Sequence, residues 1–274
     1  MKRSIVIKNS HSDEMGCDIY YPENQSKPLP LLIFLHGFKG FKDWGGFPYM
    51  LGKISEAGYA AAGFNFSYNG IGDDLMNFTR LDRFADNTTT REIEDTISVI
   101  DFFYKNAGRL KIDFSSVTLL GHSRGGGAAI ITASEDSRVK RLITLNAVSG
   151  FNRFTGDRKE EWRQNGFIEM LNSRTKQMMR MNVIYLDDLE KNAERLDVMN
   201  AARRIRVPFL IIQAAEDLAV NKSEAEMLYE ASDKSKSKLV IIEHTGHTFG
   251  TEHPFKGTTP AFEKVINYIT GKIV

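Results

Sequence analysis

One serine stands in Gly121-His122-Ser123-Arg124-Gly125, where a short apolar run ends and a series of small residues begins. The run Val117–Leu120 has the composition of a buried strand, and Gly126-Gly127-Ala128-Ala129 suits the first turn of a closely packed helix. A serine on a tight turn between a strand and a helix projects its hydroxyl clear of the sheet, as a nucleophile requires. The alternative is a serine whose side chain merely caps the helix. The order strand, turn, helix favours the nucleophile.

A serine hydroxyl is a weak nucleophile until a base accepts its proton and a carboxylate orients that base. Asp217 follows the apolar run Phe209–Gln213, and His247 follows the last such run, Leu239–Glu243. Each of the three residues therefore lies in the loop after a different predicted strand, in the chain order Ser, Asp, His. This spacing predicts a catalytic triad of Ser123, His247 and Asp217.

Neighbouring residues provide alternatives for the base and the carboxylate. His244 and His253 lie close to His247, and Glu216 precedes Asp217. We expect His244, at the end of the strand itself, to be buried structure, and His253, which precedes Pro254, to line the loop. The favoured assignments remain His247 and Asp217.

Acyl transfer also needs hydrogen-bond donors directed at the oxyanion of the tetrahedral intermediate. The backbone N–H of Arg124, directly after the serine, is the expected first donor. The expected second donor is the N–H of Phe38, in the segment His36-Gly37-Phe38 that follows the apolar run Leu31–Leu35. Gly37 keeps this backbone accessible, and we expect His36 to stabilise the turn through a side-chain hydrogen bond.

The elements that must position these groups alternate between short apolar runs and longer segments with helical spacing, which predicts a mostly parallel sheet with helices on its faces. The predicted core strands are 31–35, 60–66, 117–120, 142–147, 209–213 and 239–243, with edge strands at 4–8 and 17–21. The predicted helices are 47–57, 88–106, 125–134, 223–232 and 260–270. In the second helix, Ile93, Ile97, Ile100 and Tyr104 define the apolar face, opposite a polar face with Arg91, Glu94 and Asp95.

The segment 151–205 interrupts this alternation, because it is too long for one crossover helix. We predict a helical insertion, which either covers the core or acts as a cap that shapes a substrate pocket. We assign substrate contact to Met178 of this insertion, to Trp44 after the predicted oxyanion loop and to Asn69 after the strand 60–66. Ordinary packing is the alternative for each of them.

Bulk composition excludes several function classes. The 274 residues carry 36 Lys and Arg against 35 Asp and Glu, a formal net charge of +1, so no strong field favours a nucleic acid or an anionic membrane. The single cysteine, Cys17, cannot form an intramolecular disulfide, which fits a reducing compartment. No apolar segment has the length of a signal peptide or a membrane span. We expect a cytoplasmic protein with no metal or cofactor, and the sequence is compatible with a homodimer.

The motifs together resemble the α/β-hydrolase superfamily over essentially the whole chain, and within it the esterase and dienelactone-hydrolase-like branch. The resemblance is carried by 36–38, 65–70, 121–125, Asp217 with Val220, and 246–249. Dienelactone hydrolases use a cysteine nucleophile, whereas this chain has Ser123 in that position and its only cysteine near the N-terminus.

The resemblance implies one α/β-hydrolase domain over residues 1–274, with a mostly parallel central sheet, helices on both faces and a helical cap at about 151–205. It also implies Ser123, Asp217 and His247 as the triad and Phe38 and Arg124 as oxyanion donors. The expected function is hydrolysis of a small or medium-sized carboxylic ester through an acyl-enzyme. The alternatives are an amidase or peptidase with the same triad and a non-catalytic ligand-binding protein on the same scaffold.

Overall fold

The computed structural model describes residues 1–271 and contains an eight-stranded sheet with helices on both faces. The strands of this sheet are β1 (Lys2–Lys8), β2 (Glu14–Tyr20), β3 (Leu29–Leu35), β4 (Ala60–Phe64), β5 (Ile112–His122), β6 (Val139–Leu145), β9 (Phe209–Ala214) and β10 (Ser237–Ile242). Two further strands, β7 (Phe167–Leu171) and β8 (Met178–Asn182), form a separate antiparallel hairpin.

The strand order of the large sheet is β1-β2-β4-β3-β5-β6-β9-β10. The first two pairings, β1 with β2 and β2 with β4, are antiparallel, and the remaining strands are parallel. The α/β-hydrolase fold predicted from the sequence is therefore present, with a strand at each of the eight predicted places. β2 differs from its prediction as an edge strand, because it lies between β1 and β4 and only β1 closes that end of the sheet.

The helices are α1 (Phe47–Glu56), α2 (Leu81–Ala85), α3 (Thr89–Leu110), α4 (Arg124–Glu135), α5 (Gly156–Asn165), α6 (Ile184–Lys191), α7 (Val198–Arg204), α8 (Lys222–Ala231) and α9 (Pro260–Ile269). One apolar cluster places α1 and α9 against one face of the sheet. A second cluster places α3, α4 and α8 against the other face. Among residues 1–271, no helix is long and apolar enough to cross a membrane.

The polar face predicted for α3 is only partly correct. Ile93 and Ile100 are buried as predicted, but Tyr104 is 60% exposed, whereas Asp95 and Glu92 are buried. Asp95 is buried because it accepts hydrogen bonds from the Ser67 backbone and hydroxyl, each at 2.8 Å. A helical wheel places Asp95 on the solvent side because the wheel takes no account of other segments. Here Ser67, from a distant segment, provides hydrogen bonds that allow the Asp95 side chain to be buried.

The segment 151–205 forms a mixed insertion rather than a purely helical one. It contains α5, the β7–β8 hairpin, α6 and α7. Trp162 of α5 is fully buried and stacks against Tyr185 of α6, with ring centroids 5.8 Å apart. Because Trp162, Ile168 and Met179 belong to the apolar cluster on the α3–α4 face of the sheet, the insertion shares its core with that face.

Candidate active site

Ser123 occupies a sharp turn between the end of β5 and the start of α4. Its backbone has φ 56° and ψ −122°, a strained conformation for a residue other than glycine. The flanking glycines are needed for space: a Cβ on Gly121 would lie 2.4 Å from the Gly125 carbonyl oxygen, and a Cβ on Gly125 would lie 2.4 Å from the His36 carbonyl oxygen. The Ser123 side chain makes no capping hydrogen bond to α4, which removes the simple helix-cap alternative.

Asp217 and His247 form a close pair. The Nδ1 atom of His247 lies 2.7 Å from Oδ2 of Asp217, whose side chain is fully buried. Oδ1 of Asp217 accepts hydrogen bonds from the backbone N–H groups of Ala219 at 2.8 Å and Val220 at 3.0 Å. Burial opposes ionisation of Asp217, but the hydrogen bonds from His247 and the backbone outweigh it and hold the pKa of Asp217 below its ordinary value. The pair is therefore a carboxylate that fixes an imidazole with Nε2 free.

Two side chains hold the backbone of His247 in place. Its carbonyl oxygen accepts hydrogen bonds from Nε2 of His122 at 2.9 Å and from Nδ2 of Asn146 at 2.8 Å. Burial, followed by the neighbouring His247, lowers the pKa of His122 to about 3, so His122 is a neutral donor. Asn146 also accepts a hydrogen bond from the Ala214 N–H at 2.7 Å, which joins the ends of β6 and β9 to this loop. Asn146 is not among the residues predicted from the sequence, and its only signal is its place near the end of the predicted strand 142–147.

The alternative residues lie elsewhere. The His244 side chain is 93% exposed and its nearest carboxylate is Glu216, which is 65% exposed, so the expectation of a buried His244 is wrong. The backbone turns at His244 with φ 58°, and this turn directs the side chain into solvent. Both ring nitrogens of His253 are occupied, Nδ1 by the Gly45 N–H and Nε2 by the Leu75 carbonyl, each at 2.9 Å.

Phe38 and Arg124 border the same cavity as Ser123 and His247. Within residues 1–271, neither the Phe38 nor the Arg124 backbone N–H donates a hydrogen bond to another protein group. Gly37 brings the two segments together, because a Cβ at this position would lie 2.8 Å from Cβ and 3.3 Å from Oγ of Ser123. Two unused donors beside a serine can stabilise an oxyanion. Ser123 and His247 share the cavity wall without a direct hydrogen bond, as is common in free hydrolases.

His36 stabilises the loop that carries Phe38. Its Nδ1 donates a hydrogen bond to the Gly37 carbonyl at 2.9 Å, and its Nε2 accepts from the Phe66 N–H at 3.4 Å. Burial lowers the pKa of His36 to about 4, which keeps the ring neutral. The Nδ2 of Asn69 lies 3.3 Å from the same Nε2. Asn69 therefore supports the loop from behind.

The cavity has a volume of about 530 Å³, which suits a small or medium-sized ligand. Its wall includes the predicted Trp44 and apolar side chains from and beside the insertion, namely Val148, Phe151, Phe154, Met181 and Tyr185. The assignment of Asn69 to substrate contact is wrong, because it lies behind His36 and borders a different cavity. The assignment of Met178 is also wrong: it is 51% exposed, and strand alternation in β8 directs Met179 and Met181 inwards instead.

A buried ion pair stabilises the first turn of α4. The Arg124 guanidinium contacts Glu92 of α3 through Nη2 and donates from Nε to Oε2 at 3.1 Å. Asn87 donates a further hydrogen bond to Glu92 at 2.8 Å. The guanidinium also lies over the Phe38 ring, 4.5 Å from its centroid. The side chain of one predicted oxyanion residue thus supports the loop that carries the other.

Comparison with known proteins places these features in context. The BD-FAE family model matches residues 17–231, more than three quarters of the chain. An uncharacterized 31.7 kDa protein from the traX-finO intergenic region of Escherichia coli is 26% identical over 266 residues, covering 85% of this chain and 88% of that protein.

Two solved structures share the fold at lower identity. The esterase domain of a Rhodothermus marinus protein is 17% identical with a TM-score of 0.66, covering 99% of this chain and 97% of that chain. Est1E from Butyrivibrio proteoclasticus, solved with ferulic acid bound, is 19% identical with a TM-score of 0.71, covering 98% of this chain and 95% of that chain.

Proposed function

The chain belongs to the BD-FAE family, an esterase-associated family of α/β-hydrolases, and we propose on this basis that it hydrolyses carboxylic esters through an acyl-enzyme on Ser123. The observation that carries the proposal is one cavity wall with a serine on a strained turn, an imidazole held 2.7 Å from a buried carboxylate and two unused backbone donors. Each part serves a different requirement of acyl transfer.

In the first half of the reaction, the Ser123 hydroxyl attacks the ester carbonyl while Nε2 of His247 accepts its proton. Asp217 holds Nδ1–H of His247 and stabilises the imidazolium that forms. The carbonyl oxygen becomes an oxyanion, which the N–H groups of Phe38 and Arg124 stabilise. His247 then donates its proton to the leaving alcohol, and the acyl group remains on Ser123.

In the second half, water attacks the acyl-enzyme. His247 accepts a proton from this water, and the same two backbone donors stabilise the second tetrahedral intermediate. The intermediate releases the acid as His247 returns the proton to Ser123. The clamp on the His247 carbonyl from His122 and Asn146 keeps the imidazole at the required position in both halves.

The cavity supports a medium-sized acyl group. Its aromatic wall, with Trp44, Phe151 and Phe154, is compatible with either an alkyl chain or an aromatic acid such as the ferulic acid bound to Est1E. Because the wall comes partly from the insertion, chain-length preference depends on this segment.

The decisive experiment compares the wild type with Ser123→Ala on p-nitrophenyl esters from acetate to decanoate. We expect kcat to fall by a factor of about 10⁶ in the variant, with an unchanged unfolding temperature. A fluorophosphonate should label Ser123 in the wild type only. The proposal is contradicted if the two proteins have equal esterase activity. It is also contradicted if the folded wild type does not hydrolyse esters, or if it prefers matched anilides.

A matched pair of histidine variants tests the choice of base. His247→Ala should abolish ester hydrolysis, whereas His244→Ala should leave it unchanged, because the His244 side chain is 93% exposed and directed into solvent. Loss of activity in His244→Ala would reassign the base.

A further inference from the structure

The wall of the catalytic cavity is unusually basic. Besides the triad histidine, its charged side chains are Lys39, Arg124, Arg153 and Arg174, and within residues 1–271 no Asp or Glu borders it. Binding of a neutral ester does not require four cationic side chains around a partly apolar cavity. The carboxylate partners of each cation therefore decide whether the positive charge is available to a ligand.

Two of these cations are already neutralised by protein carboxylates. Arg124 is paired with buried Glu92 behind the wall. Arg153 donates from Nη1 to both carboxylate oxygens of Glu224, at 2.8 and 2.7 Å. These two arginines serve the structure and leave little charge for a substrate.

Within residues 1–271, no carboxylate lies within 4 Å of the other two cations. In the same residues, the hydrogen bond of Lys39 Nζ is a long one, 3.4 Å, to the Leu171 carbonyl. Arg174 donates from Nη1 to the Met76 carbonyl at 2.7 Å, while its Nη2 is buried and has no hydrogen-bond partner within residues 1–271. Asp74 influences Arg174 only from a longer range. The guanidinium of Arg174 therefore has hydrogen-bonding capacity that the described residues leave unused.

Partial burial shifts the pKa of both side chains. Loss of solvent lowers the pKa of Lys39 and that of Arg174 below their ordinary values. Both side chains remain cations at neutral pH, since their ordinary values are far above 7. Because both charges are partly shielded from water, their attraction for an anion in the cavity is stronger than that of fully exposed charges.

Lys39 and Arg174 are connected through the β7–β8 hairpin. Lys39 directly follows Phe38, a proposed oxyanion donor, and Arg174 lies in the turn between β7 and β8. The bond from Lys39 to Leu171 at the end of β7 joins the oxyanion loop to this hairpin. The same turn contributes Asn172 and Ser173 to the wall, so this end of the cavity is polar.

We propose that the substrate is an ester that carries a second, ionised carboxylate group, bound by Lys39 and Arg174 while the ester carbonyl lies at Ser123. The two oxygens of a planar carboxylate can accept one hydrogen bond each from Nζ of Lys39 and from the guanidinium of Arg174. This inference rests on the proposed ester hydrolysis and adds the substrate class. An ester that lacks this carboxylate would leave both cations unpaired in the complex, so it should bind more weakly.

Two matched pairs of substrates test the proposal. For an acyl-side carboxylate, the mono-p-nitrophenyl ester of adipate is compared with p-nitrophenyl hexanoate, and for an alcohol-side carboxylate, 4-acetoxybenzoate is compared with 4-methylphenyl acetate. In at least one pair we expect the wild type to favour the carboxylate by tenfold or more in kcat/KM. The preference should decrease as salt concentration rises.

The variants Arg174→Gln and Lys39→Met should each reduce this preference by about 10- to 100-fold, the scale of a lost hydrogen bond to a charged group. Arg174→Lys should retain part of it because the charge remains. Lys176→Gln is the matched control, since Lys176 is exposed in the same turn and does not border the cavity, and it should keep the full preference.

Binding to Ser123→Ala separates this inference from catalysis. Calorimetry with monomethyl adipate and with 4-acetoxybenzoate should show binding of at least one, which Arg174→Gln weakens. If the wild type hydrolyses p-nitrophenyl hexanoate but shows no carboxylate preference in either pair, the inference is overturned and the esterase function stands. If carboxylates bind but no ester is hydrolysed, the proposed function fails and the anion site remains.

Discussion

The buried pair between Glu92 and Arg124 provides the sharpest structural prediction, because it connects folding stability with the position of a proposed oxyanion donor. The Glu92 side chain is 3% exposed and that of Arg124 is 11% exposed. Glu92→Gln keeps the shape of the side chain but removes its negative charge. The amide offers one acceptor oxygen, whereas the Arg124 guanidinium donates to both carboxylate oxygens of Glu92. Breaking a buried pair in this way generally costs 3–5 kcal/mol.

We expect Glu92→Gln to lose about 3 kcal/mol of unfolding free energy, the low end of that range, because the Phe38 ring still faces the guanidinium at 4.5 Å. For a chain of this size the loss corresponds to a decrease of roughly 6–12 °C in Tm. Because Arg124 is the first residue of α4, a shift of its side chain should also displace its backbone N–H. We expect kcat to fall about tenfold, less than the 10²–10³ cost of losing an oxyanion donor.

Urea denaturation and ester-hydrolysis kinetics on the same preparations measure both effects. Glu94→Gln is the matched control on α3: its side chain is 38% exposed and its carboxylate lies 3.4 Å from Nε2 of exposed His11, so stability should stay within about 0.5 kcal/mol of the wild type. The double variant Glu92→Leu/Arg124→Met removes both charges and should recover most of the lost stability. A Glu92→Gln protein as stable as Glu94→Gln, or a double variant less stable than Glu92→Gln, would refute the reasoning.

Three further predictions concern the catalytic residues and pH. Asp217→Asn should reduce kcat by about 10⁴ with little change in Tm, since the imidazole loses the partner that fixes its tautomer; a loss below tenfold in steady-state assays would contradict this role. Gly37→Ala should impair acyl transfer while near-native circular dichroism is retained, because the added Cβ would lie 2.8 Å from Cβ of Ser123; unchanged kcat would argue against that close approach. Burial lowers the pKa of His36 from 6.5 to about 4, so its contribution to stability is complete above pH 6.5 and is lost as pH falls towards 4. Between pH 7 and pH 4.5, the free energy of unfolding should therefore decrease less in His36→Asn than in the wild type, and equal decreases would exclude the effect. Burial raises the pKa of Asp95 to about 6, so Asp95 contributes to stability in the opposite direction over this range, and its contribution cancels because both proteins contain it.

The main outline of the fold could be predicted from local patterns. Strands such as β3 and β9 are continuous apolar runs, which identify buried parallel strands without reference to the rest of the chain. The Gly-x-Ser-x-Gly segment after such a run predicts the position of Ser123, because the required turn depends on its own glycines and on the adjoining strand and helix.

The insertion could not be predicted at the same level. The segment 167–182 has few strand formers and several Met and Arg residues, yet it forms the β7–β8 hairpin. The prediction of a helix gave no means of separating exposed Met178 from buried Met179 and Met181, whereas the alternation of a strand separates them. Packing against the rest of the fold decides this choice, and local propensity does not.

Local patterns in the sequence predict the class of fold and the chain order of Ser123, Asp217 and His247, because each of these residues follows the end of a strand. Packing between distant segments decides which charges are neutralised. Glu92 lies 32 residues before Arg124, and Glu224 lies 71 residues after Arg153, so neither pairing is visible in local spacing. Within residues 1–271, Lys39 and Arg174 have carbonyl partners and no carboxylate partner, and this difference is likewise a property of three-dimensional packing.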